Sequence, residues 1–395
     1  MKRPGAHPKT AMAHVARASR PCNHRRDGGA TKGNIHRRDG GATGVLRCPL
    51  TRRRYVICLT FCIALLMLVL VLSPGIGSQT GKVGLRDAWR AYFDHDEDTI
   101  AYWIAFRHRL PRTLLALQAG ITLSLCGAVF QTLFRNPLAT PYTLGIASGG
   151  SLGALIAIKL GITASLLGIS GVTLSAFVGA MVVIAVVFSL TRGTRRLTTN
   201  ELLLAGVTMG LFCSAMMMLV TYLSSARETF AIVRWMMGSL DTVGHHDLAS
   251  SPPLIVPAWI VLILSARPLN QYILGEELAT ARGISIARLQ AVCILFASLA
   301  TAAVVAVCGP IGFVGLVVPH ITALVVGRDC RILLPAAAII GGVFLAVCDW
   351  LSQLAMAWFG TLTGQDLGST ILPIGVVTAV VGVPIFLILL QRRAT

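Results

Sequence analysis

The chain has 395 residues, of which 55% are hydrophobic and 13% are charged, with a mean hydropathy of +0.74 and a formal net charge of +18. A soluble domain carries about 25% charged residues, so this composition excludes an ordinary water-soluble protein. Apolar surface on this scale indicates a protein embedded in a bilayer, where backbone polar groups must be satisfied within the chain.

Residues 1–54 form a basic tail with 14 Lys and Arg residues against two Asp residues. The sequence HRRDGGAT occurs twice in it, at 24–31 and 36–43, which is too few copies for a repeat fold. Such a tail can bind nucleic acid. However, no aromatic residue is interleaved with the charges before Tyr55. We therefore predict a disordered cytoplasmic tail that follows the positive-inside rule, with no nucleic-acid partner.

Residues 55–393 predict an all-α polytopic membrane domain of about ten transmembrane helices, each needing roughly 20 apolar residues. The predicted spans are 55–74, 110–133, 141–159, 163–190, 201–223, 252–267, 287–307, 311–326, 333–357 and 373–390. Basic residues concentrate in alternate connections, with 75–109 as the exception, and the last loop (358–372) has no Lys or Arg. This bias predicts that both termini are cytoplasmic.

Small residues and prolines recur within these spans. Pairs such as Gly120 with Ser124 and Gly206 with Gly210 predict close helix packing. Prolines such as Pro137 interrupt several spans. Broken backbone at membrane depth is tolerated where it is buried in protein or lines a water-filled cavity, so the pattern favours a transport pathway over an inert anchor.

Charged or polar motifs lie at both ends of the predicted helix 110–133. RLPR at 109–112 opens it, and its two arginines can either dock an acidic partner or anchor the helix at the interface by snorkelling. RNPLA at 135–139 ends it. Asn beside Pro can narrow a pore while satisfying freed backbone groups, or can simply stop the helix.

Residues 266–286 form the longest polar connection after the tail. Within it, residues 276–282 predict a short amphipathic helix between Gly275 and Gly283. A cytoplasmic helix held between glycines is a suitable surface for a partner protein, and an ordinary solvated loop is the alternative.

Ionisable residues inside predicted spans are functional candidates by default. His320, which follows Pro319, can be a proton relay or a structural histidine at a proline break. Asp349 has no basic residue one helical turn away in sequence, since Gln353 holds that position.

Signals for catalysis and metal binding are weak. The chain has no GxxxxGK[ST] and no HExxH motif, so we predict no enzymatic activity and no ATP site on this chain. Its ten cysteines show no CxxC spacing, and seven of them lie in apolar segments, where they fit buried hydrophobic positions. The pair His245 and His246 can contact haem or metal, but a polar loop is the simpler interpretation, and we predict no metal site.

Together these segments resemble the permease family of binding-protein-dependent ABC importers for iron–siderophores, haem and vitamin B12. The motifs that carry the resemblance occur in family order between residues 55 and 393: RLPR, GAVFQTLFRNPLATPYTLG, ELLLAGVTMG, WMMGSL, LGEELATARGI, GPIGFVGLVVPH, GRDCRILLP and PIGVVTAVVGVP. The resemblance implies an ABC importer type II permease fold in a bacterial inner membrane. It also implies a second permease subunit, identical or not, two ATPase subunits that hold ATP and Mg²⁺, and a periplasmic binding protein. This chain then binds no cofactor itself.

The resemblance assigns roles by position. It implies binding-protein docking for Arg109 and Arg112. It implies a coupling helix for the ATPase over 275–283, carried by Gly275, Glu276, Glu277, Ala279 and Gly283. It implies a cytoplasmic constriction lined by Asn136, Leu138, Thr199 and Asn200.

Three positions depart from the family pattern. Gln353 and Ala323 stand where the family commonly has Arg, and Ile371 stands where it commonly has Glu. The first departure removes a third docking charge, and the other two weaken polar ties between helices.

We therefore expect a permease subunit that imports an iron chelate, either a siderophore or haem, or cobalamin. The alternative is an ion- or proton-coupled secondary transporter that uses His320 and Asp349 as a relay.

Overall fold

The computed structural model describes residues 52–77, 83–94, 99–162, 165–166, 169–191, 199–240, 248, 251–363 and 371–394. The predictions for the tail before residue 52, including its repeat, and for His245 and His246 lie outside these residues.

Helices dominate the described chain. They are α1 (Arg52–Leu72), α2 (Leu85–Phe93), α3 (Leu110–Leu133), α4 (Ile146–Lys159), α5 (Gly171–Thr191), α6 (Thr199–Tyr222), α7 (Ala226–Met236), α8 (Pro252–Leu264), α9 (Ala266–Ile273), α10 (Glu276–Ala281), α11 (Ile286–Cys308), α12 (Val314–Val326), α13 (Cys330–Thr363) and α14 (Ile374–Ala394). A helical turn (Ile100–Tyr102) and a π-helical segment (Trp103–Arg109) run directly into α3. Two short antiparallel strands, Ser165–Leu166 and Ile169–Ser170, precede α5.

Each of the ten predicted spans corresponds to an apolar helix, which confirms the all-α membrane fold. Among the described residues, six helices are long and apolar enough to cross a membrane, and α8 with α9 makes a seventh that is bent by 47°. The helices α4, α12 and α14 are shorter. With 14 and 13 residues, α4 and α12 reach only about 20 Å, less than the roughly 30 Å hydrocarbon core.

Some predicted boundaries were wrong. The second span begins at Ile100 rather than at 110, because the π-helical segment continues α3 through the charged RLPR motif. The predicted span 141–159 contains a 3₁₀ turn (Pro141–Leu144) before α4. Gly145 separates the two with φ of 76°, a left-handed conformation that glycine adopts without steric cost.

The helix α3 lies at the centre of the core and packs most extensively against α13. A Cβ atom added at Gly120 would overlap the carbonyl of Gly341, and the Ser124 hydroxyl donates to the carbonyl of Ala337 at 2.7 Å. The backbones of α3 and α13 therefore approach closely, as the pair Gly120 and Ser124 predicts.

The predicted pair Gly206 and Gly210 also lies at a close contact. A Cβ atom at Gly206 would stand 2.5 Å from the Cα atom of Leu144, and Gly210 lies beside Gly145. The helix α6 therefore packs against the 3₁₀ turn before α4. Its other side carries strongly exposed apolar side chains, including Leu204, Leu211 and Met218. Apolar exposure of this kind fits contact with lipid or with another subunit.

Candidate functional site

The helix α3 separates two polar regions. Its 24 residues span about 36 Å, with Arg109 and Arg112 at one end and the turn Asn136–Ala139 beyond the other. We call these the RLPR end and the NPLA end.

At the RLPR end, Arg112 forms an ion pair with Asp349 of α13. Its Nη2 atom lies 2.8 Å from Asp349 Oδ1, and its Nε atom donates to both carboxylate oxygens, at 2.9 and 3.1 Å. Gln353 adds a hydrogen bond of 2.7 Å to Asp349 Oδ2. No basic residue lies one turn from Asp349 on α13, and its positively charged partner comes from α3 instead.

Arg109 holds the segment that follows α1. Its Nη1 atom donates to the carbonyls of Pro74 and Val83, at 2.9 and 3.1 Å, and the residue is only 6% exposed. Gly77 packs so tightly that an added Cβ atom would stand 2.5 Å from Arg109 Nε and 3.1 Å from Gln353 Oε1. Arg109 and Gln353 therefore pack against the same glycine at the RLPR end.

Interrupted backbone segments meet near the middle of α3. Gly315, in the first turn of α12, packs against Gly127, which places the start of α12 midway along α3. The Tyr142 hydroxyl donates to the carbonyl of Ile311 at 2.6 Å and accepts from its N–H at 2.7 Å. Gly375 N–H donates to the carbonyl of Met237 at 3.1 Å. These broken segments are satisfied by protein partners, as spanning structures require.

The proline break in α12 has a specific partner on α3. Pro319 has no N–H, so the carbonyl of Gly315, four residues earlier, lacks its helical donor. The Gln131 side chain donates to that carbonyl at 3.2 Å and to the carbonyl of Leu316 at 3.1 Å. The α3–α12 contact therefore satisfies the Gly315 carbonyl, which the proline leaves without its helical donor.

At the NPLA end, Asn136 organises the turn. Its Oδ1 atom accepts from Leu138 N–H at 2.9 Å, and its carbonyl accepts from Ala139 N–H at 3.1 Å. The Leu138 side chain is half exposed. Arg135, just before the turn, donates from Nη2 to the carbonyl of Tyr272 in α9 at 2.8 Å, with its guanidinium carbon 4.6 Å from the centre of the Tyr272 ring.

The short helix α10 lies next to this contact. It runs over Glu276–Ala281, between Gly275 with φ of 134° and Gly283 with φ of 81°. Both are left-handed conformations that favour glycine. Within α10, Ala279 is fully buried, while Glu276 and Glu277 are exposed. The predicted short helix is therefore present and presents an acidic outer face.

A cavity of about 330 Å³ opens at the NPLA end. Its lining includes Gln131, Arg135, His320, Ala323 and Arg328. His320 is 7% exposed and faces this cavity from α12. Ala323, where the resemblance implies arginine, leaves space in the cavity that a longer side chain would occupy.

Residues 65–392 match the FecCD transport family. The chain belongs to this family. It is a transmembrane permease of the ABC importer type.

Relatives of this FecCD-family chain include permeases named for the transport of cobalamin, hemin and vitamin B12. A cobalamin import system permease of Halobacterium salinarum is 36% identical over 72% of this chain and 72% of its own length. A hemin transport system permease of Yersinia pestis is 34% identical over 83% of this chain and 94% of its own length. A vitamin B12 import system permease of Salmonella paratyphi A is 38% identical over 72% of this chain and 83% of its own length.

A solved structure shares the fold. It is an inward-facing conformation of a metal-chelate type ABC transporter, with a TM-score of 0.72 and 28% identity. The match covers 86% of this chain and all of that chain.

Both predicted docking residues make contacts within the chain. Arg109 is 6% exposed and the Arg112 side chain is 12% exposed, and both are bonded within the chain. They are therefore not free charges at a mouth in this conformation, because each guanidinium is used to join elements of the bundle. Their docking role stays a prediction.

The structure brings the predicted gate and coupling residues to one end. Asn136 and Leu138 lie in the NPLA turn, and the residues predicted for coupling lie on the adjacent α10. Thr199 and Asn200 begin α6, but their side chains lie outside the described residues.

Although RNPLA was predicted to end a helix, the sequence predictions gave no individual role to Arg135, Tyr272, Gln131 or Tyr142. Only Gln131 carries a detectable signal, as a polar residue inside an apolar helix that faces a proline-broken segment.

Proposed function

We propose that this permease imports an iron chelate or cobalamin through a pathway formed with a second permease subunit. The names of its relatives support both cargo classes, since they include haem, cobalamin and metal-chelate transporters. In this proposal the NPLA end is cytoplasmic, both termini are cytoplasmic, and the chain itself binds no cofactor.

One observation carries the proposal. The helix α10 is exposed on its acidic face, buried at Ala279, and in contact through Tyr272 with the turn predicted to line the constriction. An exposed helix fixed to a pathway element can receive force from a partner and pass it on. We propose that separate ATPase subunits, which hold ATP and Mg²⁺, bind α10.

Labelled uptake tests the function. A strain lacking the gene is compared with the complemented strain, using a ferric siderophore, haem and cobalamin, each with ATP depletion and with an uncoupler. Rescue for one ligand that fails on ATP depletion and survives the uncoupler supports the importer and identifies the cargo. Rescue that fails only with the uncoupler supports a secondary transporter instead.

Charge reversal on α10 tests the coupling assignment. Glu276→Lys with Glu277→Lys should release the ATPase subunit during purification, because both carboxylates are exposed on the proposed contact face. Replacing the exposed Glu201 on α6 with lysine is the matched control. Stable co-purification of the α10 variant would refute the assignment.

A charge swap tests docking at the RLPR end. Because Arg112 is paired with Asp349, a simple reversal would leave two acidic groups together. The double variant Arg112→Asp with Asp349→Arg keeps an ion pair but moves the positive charge to α13. Weaker binding of the periplasmic binding protein at unchanged thermal stability supports docking through Arg112, and unchanged binding rejects it.

A further inference from the structure

Arg135 connects the NPLA turn to the helix pair α9–α10. Its Nη2 atom donates to the carbonyl of Tyr272 at 2.8 Å, and its guanidinium lies over the Tyr272 ring. We propose that Arg135 is a positioning residue that transmits movement of α10 to the NPLA turn during transport. The proposal rests on the function proposed above, because it requires an ATPase acting on α10.

The Tyr272 carbonyl is a shared anchor. It accepts from Arg135 and also from the N–H of Gly275, at 3.2 Å, and Gly275 is the residue just before α10. The Tyr272 side chain is 1% exposed, and its hydroxyl lies 3.4 Å from both Glu276 Oε1 and Gln290 Nε2. A displacement of α10 therefore acts directly on the group that Arg135 holds.

A second contact holds α9 to the scaffold instead. The Asn270 side chain donates to Asp329 Oδ1 at 2.7 Å and accepts from the N–H of Cys330 at 2.8 Å, at the start of α13. The helix α9 is thus held to α13 at one point and to the NPLA turn at another. Movement about the first contact changes the position of the second.

The backbone of Arg135 supports a role for its side chain. The residue has φ of 50°, a left-handed conformation that residues with a Cβ atom rarely adopt and that glycine commonly supplies just after a helix. Glycine would suit this backbone better than arginine. The contacts of the guanidinium give a physical reason for arginine at this position.

Because the backbone favours glycine and the side-chain contacts favour arginine, one substitution can remove the contacts without straining the backbone. Arg135→Gly removes the link while favouring the local backbone, so it should leave the end of α3 folded. Arg135→Lys keeps the charge and the contact with the ring but loses the planar fork of donors. Arg53→Gln is the control, because Arg53 is an exposed arginine at the start of α1 and does not line the cavity.

The first readout is coupling in the whole complex. The permease is co-expressed with the ATPase and binding protein of its own transport system and reconstituted in proteoliposomes. The ratio of binding-protein-stimulated to basal ATP hydrolysis should fall on the order of tenfold in Arg135→Gly, since allosteric couplings typically change equilibria by that factor. Arg135→Lys should retain an intermediate ratio, and Arg53→Gln should match the unmodified complex.

The second readout needs no partner. Hydrogen exchange of residues 272–283, followed by mass spectrometry on the permease alone, should become faster in Arg135→Gly than in Arg53→Gln. Faster exchange together with a reduced ratio supports the proposal. Faster exchange with an unchanged ratio shows a merely structural contact, and unchanged exchange shows no link; both overturn it. If the unmodified complex shows no ATP-driven uptake, the proposed function fails and the transmission role fails with it, while exchange still reports whether the contact exists.

Discussion

Arg112 on α3 and Asp349 on α13 form an ion pair between residues 237 positions apart in the chain. The Asp349 side chain is 1% exposed, and the Arg112 side chain is 12% exposed. Two side-chain nitrogens of Arg112 bind the carboxylate, which fixes the relative position of the two helices. The pair therefore joins the two most extensively packed helices at the RLPR end.

Removing the carboxylate should destabilise the bundle strongly. Asp349→Ala leaves the Arg112 charge without its partner in a mostly buried position, which typically costs about 3–5 kcal/mol. Gln353 remains nearby but carries no charge to compensate. The free energy of unfolding in detergent, measured by SDS titration, checks this value.

An exposed ion pair on α2 is the control. Arg90 and Asp94 lie 3.5 Å apart on α2, with side chains 78% and 62% exposed. Such pairs contribute about 0–1 kcal/mol, so Asp94→Ala should change stability little. Equal effects of the two alanine variants would contradict a structural role for the buried pair.

Gln131 and Pro319 should show strong energetic coupling. Gln131→Leu leaves the carbonyls of Gly315 and Leu316 without the side-chain donor, and an unsatisfied buried group costs about 1–3 kcal/mol. Pro319→Ala restores the N–H that the Gly315 carbonyl lacks. The loss caused by Gln131→Leu should therefore be smaller in the Pro319→Ala background.

A double-mutant cycle measures this coupling. The four proteins are compared by the same unfolding titration, and the interaction energy is the departure from additivity. An additive result would mean that Gln131 does not compensate for the proline.

Much of the fold follows from the sequence because its signals are local. Apolar segments of spanning length predict the helices, and Gly275 and Gly283 bracket α10 because each adopts a left-handed φ. The start of α12 at Val314, rather than at the predicted residue 311, could not be predicted in this way. It depends on Phe313, a residue with a Cβ atom at φ of 66°, and on tertiary bonds from Tyr142 to the preceding turn.

The environment of the site residues could be predicted less well than their positions. The RLPR motif marks a helix start, but nothing near it in sequence indicates that Arg112 pairs with Asp349 or that Arg109 binds the carbonyls of Pro74 and Val83. The same holds for Arg135 and Tyr272, which meet only because α9 packs beside the end of α3. Long-range pairing is a property of the folded arrangement, and a single sequence does not contain it in readable form.

The α3–α12 contact should not tolerate a side chain at Gly127. A Cβ atom there would overlap the carbonyl of Gly315, so Gly127→Ala must separate two backbones in a region where helices pack closely. Overpacking of this kind costs about 1–3 kcal/mol. Gly312→Ala is the control, because a Cβ atom at Gly312 meets nothing within 4 Å. The midpoint of thermal unfolding should fall for Gly127→Ala and stay near the original for Gly312→Ala, and similar midpoints would refute the close contact.

Glu228 should make stability depend on acid pH. The Ser225 N–H donates to its carboxylate at 2.7 Å, and Lys159 Nζ donates at 3.0 Å. These contacts, led by the backbone hydrogen bond, hold the pKa of Glu228 below its ordinary value of 4.5. A carboxylate whose pKa is lowered in the folded state stabilises the fold at pH values above its ordinary pKa, and this stabilisation is lost as the pH falls through the lowered pKa.

Glu228→Gln should therefore unfold at a lower temperature than the unmodified protein at neutral pH, and the two unfolding temperatures should converge as the pH drops well below 4.5. A gap between the Glu228→Gln and unmodified proteins that stays constant from neutral to acid pH would show that the ionised carboxylate is not what stabilises the contact between α4 and α7.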